Sequence, residues 1–111
     1  MFSEDVTAQI AFELANAEAA RAAGNEGKAR VCARRAAGAA VREYLRISGQ
    51  AVYGSAYDLL GHLQQQADIA PRVRLAVENL RLKVDEAYQL PGHIDLILEA
   101  RTLVQALEQA G

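Results

Sequence analysis

Four cations hold the most regular charged spacing in the chain. Lys28, Arg35, Arg42 and Arg46 lie seven, seven and four residues apart, and at about 100° per residue they fall within a narrow arc of one helix. Guanidinium forks in such a row make bidentate bonds to phosphate. The arc is therefore a candidate anion-binding face for the phosphates of RNA or of a nucleotide. Arg30 and Arg34 lie to one side of it. Between residues 21 and 46 there are seven Lys or Arg and two acids, Glu26 and Glu43, so this segment carries +5, and the remainder of a chain of net charge −2 carries about −7. A solvated face paired with acids elsewhere is the ordinary fate of helical charge and stands as the plain alternative. No aromatic side chains are interleaved along the stripe to stack bases, which counts against a single-stranded nucleic acid.

The other reactive residue types do not assemble. His62 and His93 stand 31 residues apart without a Glu or His at metal-ligand spacing, and a helical His-Glu-x-x-His is absent. His93, before Ile94 and Asp95 at a helix start, reads as a local structural residue, since a lone His more often bonds a nearby backbone group than a metal. Cys32, in an Ala-rich helical stretch, reads as a small, partly buried residue. Asp85 and Glu86 are adjacent, so a helix points them about 100° apart, and they cannot form a catalytic pair. Gly24, Gly27 and Lys28 lack the spacing and the preceding strand of a phosphate loop. The residues point to a non-catalytic protein that needs no metal or cofactor.

A chain of 111 residues, 51% hydrophobic and 23% charged, matches one globular domain with one core. Its net charge gives no overall attraction to nucleic acid or to anionic membrane. One cysteine excludes an intrachain disulfide and fits a reducing compartment. The start Met1-Phe2-Ser3-Glu4-Asp5 is acidic where a secretory signal needs positive charge, and no apolar run approaches the roughly 18 residues of a membrane span. A cytoplasmic protein without a membrane segment is expected.

The elements that carry the stripe are all helical. Fourteen of the 23 alanines fall in the first 40 residues, a stretch without Pro, and this composition favours helix. Val6, Ile10, Leu14 and Ala17 form the apolar stripe of a first helix capped by Ser3. Gly24-Asn25 stops it and caps a second helix running to about Ile47, ended by Ser48-Gly49. The inner face of that helix reads Ala29, Ala33, Ala36, Ala40, Tyr44 and Ile47, small enough for close approach, and mid-helix Gly38 implies a tight contact. After a loop over 49–54, Ser55 and Asp58 form a capping-box start for a third helix through about Ala67, with Leu59, Leu60 and Leu63 inside. Pro71 opens a fourth, with Val73, Val77, Leu80, Val84 and Ala87 in register. Leu90-Pro91-Gly92 breaks it. A fifth carries Ile94, Ile97, Leu98, Leu103, Val104 and Leu107, an apolar arc broad enough either for a homodimer surface or for a central helix. The expected fold is an all-α antiparallel bundle of four or five helices.

The run from Ala15 to Gly38, Ser55-Ala-Tyr-Asp-Leu-Leu60 and Tyr88-Gln-Leu-Pro-Gly-His93 resemble, in order, the first two helices, the third helix and the last interhelical junction of HEPN-domain proteins. The resemblance covers nearly the whole chain and rests on pattern. It implies a helical bundle that commonly dimerises, in proteins that act as RNA-cutting toxins or as partners of small nucleotidyltransferases. The toxin branch has an Arg followed four to six residues later by His. Here the nearest Arg before His93 is Arg81, the nearest before His62 is Arg46, and Gln89 stands near the Arg position. No catalytic residue transfers. The leading expectation is a non-catalytic, dimeric HEPN-like module that binds a partner protein or a nucleotide or RNA phosphate through Lys28, Arg35, Arg42 and Arg46. A purely structural adaptor, or a degenerate ribonuclease using His93 across a dimer interface, are the alternatives.

Overall fold

The computed structural model describes residues 1–82 and 94–110, which hold five helices and no strand: α1 Glu4–Ala22, α2 Glu26–Ile47, α3 Ala56–Gln64, α4 Pro71–Leu80 and α5 Leu96–Ala110. Ser3 Oγ accepts from the Val6 N–H at the head of α1, and Asn25 Oδ1 accepts from the Lys28 N–H at the head of α2. Both helices end in the same device. Gly24 and Gly49 take φ of 81° and 89°, which glycine adopts without a Cβ penalty. The next residue then donates back to the third-last helical carbonyl, Asn25 N–H to Ala20 O at 2.8 Å and Gln50 N–H to Leu45 O at 2.8 Å. The capping box of α3 forms as expected, with Ser55 and Asp58 each accepting the other's backbone N–H.

Helix α2 is the centre of the bundle, packed against α1, α3 and α5. Its alanines make this possible: Ala29, Ala33, Ala36, Ala37 and Ala40 are all fully buried, and small side chains let helix axes approach closely. At Gly38 the approach reaches backbone, where an added Cβ would lie 2.9 Å from both Cα and Cβ of Ala56. The tight contact expected there is the packing of the α3 N-terminus onto α2. The leucines of α3, Val73, Val77 and Leu80 of α4, and Leu103 and Leu107 of α5 complete the core.

Four expectations are adjusted. Helix α3 stops at Gln64 rather than Ala67, because the N–H groups of Gln65 and Gln66 turn tightly back to His62 and Leu63. Ile94 precedes α5, which Asp95 caps by accepting from Ile97 and Leu98. Ile47 is exposed rather than inward. The broad apolar arc of α5 is taken up inside the chain, where Leu96, Ile97, Ala100, Leu103, Val104 and Leu107 are buried against neighbouring helices and Leu98 stays out. Val84, Ala87 and the Leu90-Pro91-Gly92 break lie outside the described residues. None of the described helices is long and apolar enough to cross a membrane.

Candidate anion-binding face

The basic face of α2 borders a furrow. Arg35 and Arg42 flank a depression of about 160 Å³ lined by Gly38, Ala39 and the α1 side chains Gln9 and Glu13. Arg42 and Arg46 flank a wider one of about 500 Å³ that reaches Ser3, Asp5 and Val6. A third and smallest, about 70 Å³, lies between Arg42, Arg46 and the loop residues Ala51, Val52 and Tyr53. Arg42 lines all three, so they adjoin one another along α2. Lys28 is exposed but lines none of them, standing two turns and roughly 10 Å along the helix from Arg35. Among the described residues, Arg35 and Arg42 have no ion-pair partner.

Charge across these depressions is uneven. The α1 wall contributes Asp5 and Glu13, whereas the end at Tyr53 has no carboxylate in its lining. Arg46 is committed to an unexpected partner. Its Nε donates to Oε1 of Glu43 at 2.7 Å, and the backbone N–H of Ser3 donates to Oε2 at 2.9 Å. The Glu43 side chain is only 4% exposed, and the Arg46 bond, then the Ser3 N–H, hold its carboxyl down from the usual 4.5 to about 2. Glu43 was visible as one of two acids in the basic segment. Its place three residues after Ala40, on the inner stripe, was the signal that it would be buried.

The remaining cations of the segment serve the fold. Arg21 donates to both oxygens of Glu26, Nε–Oε1 at 3.0 Å and Nη2–Oε2 at 2.8 Å, and to Asp95 Oδ1 at 2.9 Å, joining the α1–α2 turn to the cap of α5. The Arg21 bonds hold the Glu26 carboxyl below its ordinary value. Burial works against the charge on Asp95, yet Arg21 and the N–H groups of Leu98 and Ile97 still hold it low. Arg34 ties α2 to the end of α4 by donating to the carbonyls of Leu80 and Leu82 at 2.9 and 3.0 Å, since carbonyls at a helix C-terminus lack an intrahelical partner.

A second polar depression, about 430 Å³, lies over α3 and is lined by Tyr53, Asp58, Gly61, His62, Gln65 and Arg81. The Arg81 guanidinium lies 4.1 Å over the Tyr57 ring, donates to Gln64 Oε1 at 2.6 Å, and packs so flat on Gly61 that a Cβ there would meet Nη2 at 3.1 Å. None of these three contacts was legible, because the side chains come from elements whose relative placement the sequence does not state. His93, Asp85 and Glu86 lie outside the described residues. Cys32 is buried, and among the described residues no group of three His, Cys, Asp or Glu is placed to hold a metal.

No family model, curated protein or solved structure matches this chain. The functional reading therefore rests on the furrow and its chemistry.

Proposed function

We propose that this chain is a non-catalytic, HEPN-like binding module that holds a phosphate-bearing ligand, a nucleotide or RNA, on the basic face of α2. The observation that carries the reading is Arg42, exposed and without an ion-pair partner among the described residues, common to the linings of three adjoining depressions and beside Arg46 in the one that no carboxylate lines. A guanidinium with its fork free gives up no existing bond when it takes up phosphate, and such charge-assisted pairs are the strong ones. Arg46 keeps two further donor nitrogens beyond the one given to Glu43. Lys28 lines none of the three depressions and stands outside the site.

Titration calorimetry with ATP and with a short RNA at physiological salt tests this. Binding is expected in wild type, with Arg42→Glu weakening it roughly tenfold or more and Lys28→Glu leaving it unchanged. No heat from either ligand ends the proposal. Equal losses from both variants would replace a local site with diffuse attraction.

The cytoplasmic location and the homodimer belong to the same reading, as does a protein partner such as a small nucleotidyltransferase. Since the α5 arc is spent internally, a second copy has to use other apolar side chains, and Phe12 on α1 and Leu98 on α5 are 65% and 59% exposed. Light scattering over a concentration series is expected to give twice the chain mass in wild type and a lowered mass for Phe12→Glu or Leu98→Glu. A single-chain mass at every concentration removes the dimer.

A further inference from the structure

The stripe on α2 has no aromatic side chain on its own face, since Tyr44 is half-buried against the core, but the fold brings one to it. Tyr53 lines both the carboxylate-free end of the furrow, with Arg42 and Arg46, and the separate depression over α3, with His62 and Arg81. One side chain in two linings places the two depressions side by side, with Tyr53 at their common edge. The ring is 77% exposed, an exposure that core packing does not explain. The loop that carries it is nevertheless held. Val52, the preceding residue, packs on the core, the side chain of Gln50 bonds that of Gln66 at 3.2 Å, and the contact of Gly38 with Ala56 fixes the helix that follows.

We propose that this surface binds a single-stranded nucleic acid, with a base stacked on Tyr53, one neighbouring phosphate on Arg42 and Arg46, and the strand continuing into the depression of His62 and Arg81. The proposal deepens the anion-binding reading and rests on it. Alternation of cation, ring and cation matches a strand in which phosphates alternate with flat bases. Sequence-tolerant binders of single strands combine these two features, charge along the backbone and an aromatic face for the base. A bare polyphosphate has no use for the ring, and an acidic peptide has no flat group at regular spacing to lay on it. Arg81 suits the far side because it is already held in place: its guanidinium lies over the Tyr57 ring and against Gly61, one turn further along α3, and donates to Gln64. Asp58 also lines that depression, and its Oδ2 is engaged by the Ser55 N–H.

Fluorescence anisotropy with a labelled oligouridylate and its deoxy counterpart, over a range of salt, tests the proposal. Either strand is expected to bind. Tyr53→Ala is expected to weaken binding roughly tenfold with the salt slope unchanged, because the substitution removes stacking and leaves every phosphate neutralised as before. Tyr53→Phe keeps the ring and should bind as wild type. Arg42→Glu is expected to weaken binding and flatten the slope by about 0.7 for each phosphate that the variant leaves without its cation. His62→Ala, at an exposed position, should weaken the oligonucleotide while leaving ATP binding intact. If Tyr53→Ala binds like wild type while Arg42→Glu does not, the strand proposal falls and the anion site stands. Polyglutamate binding as tightly as the oligonucleotide would likewise overturn it. If wild type binds neither strand nor ATP, both readings fall together.

Discussion

Replacing Gly38 by Val is expected to lower the melting temperature by roughly 10 °C, a loss of about 2–3 kcal/mol. The cause is geometric. A Cβ at position 38 meets Cα and Cβ of Ala56 at 2.9 Å, and backbone cannot rotate away as the tip of a flexible side chain would. Either α3 lifts from α2 or the variant bears the clash. Ala at the same site places the same Cβ, but recovers about 1 kcal/mol of helix propensity, so its loss should be smaller than that of Val. Because Ala56 opens α3, directly after the loop that carries Tyr53, Gly38→Val should also perturb the Tyr53 side of the furrow. Thermal denaturation by circular dichroism reads the stability change. A melting temperature equal to wild type would show that the two helices are not in backbone contact.

Glu43→Gln is expected to cost about 2 kcal/mol at neutral pH, the difference between charge-assisted and neutral hydrogen bonds at a site shielded from water. The amide keeps the shape and can accept from Ser3 or Arg46, but without the charge. The pH dependence gives a sharper test. The folded carboxyl titrates near 2 against an ordinary 4.5, so below the upper value the unfolded chain binds a proton that the folded chain does not. The contribution of Glu43 is full above about pH 4.5, declines as pH falls, and is gone below about 2. Wild type and Glu43→Gln should therefore differ most at neutral pH and converge through that window. Glu26 and Asp95, both held low beside Arg21, add acid sensitivity of the same sign to each protein. A stability gap that does not change between pH 7 and pH 3 would show that the Glu43 carboxylate is not held as described.

Local features were legible because their causes are local. A cap needs an Asn or Ser at one position and a glycine at another, and Ser3, Gly24, Asn25, Gly49 and Ser55 each behave as their chemistry dictates. The apolar stripes of α1, α3 and α4 follow from helical periodicity in the same way. The broad arc of α5 was ambiguous because periodicity tells how much of a helix is buried, not what covers it. At the site, the row of cations was legible and its division of labour was not. Arg46 differs from Arg35 and Arg42 through a carboxylate that α2 itself carries and the Ser3 N–H at the head of α1 also bonds. Tyr53 joins the face through a loop geometry that no spacing along α2 contains.

The alanines at the centre of α2 shape how this protein would respond to mutational scanning. A survey that truncates each side chain to alanine passes silently over Ala29, Ala33, Ala36, Ala37 and Ala40, where it has nothing to remove. Those five positions are fully buried, so added methyl groups force neighbouring helices apart instead of leaving a hole. Tolerance along α2 is one-sided, and substitution with Val or Leu, not Ala, would expose it. A conventional alanine map would report least where the protein has least room.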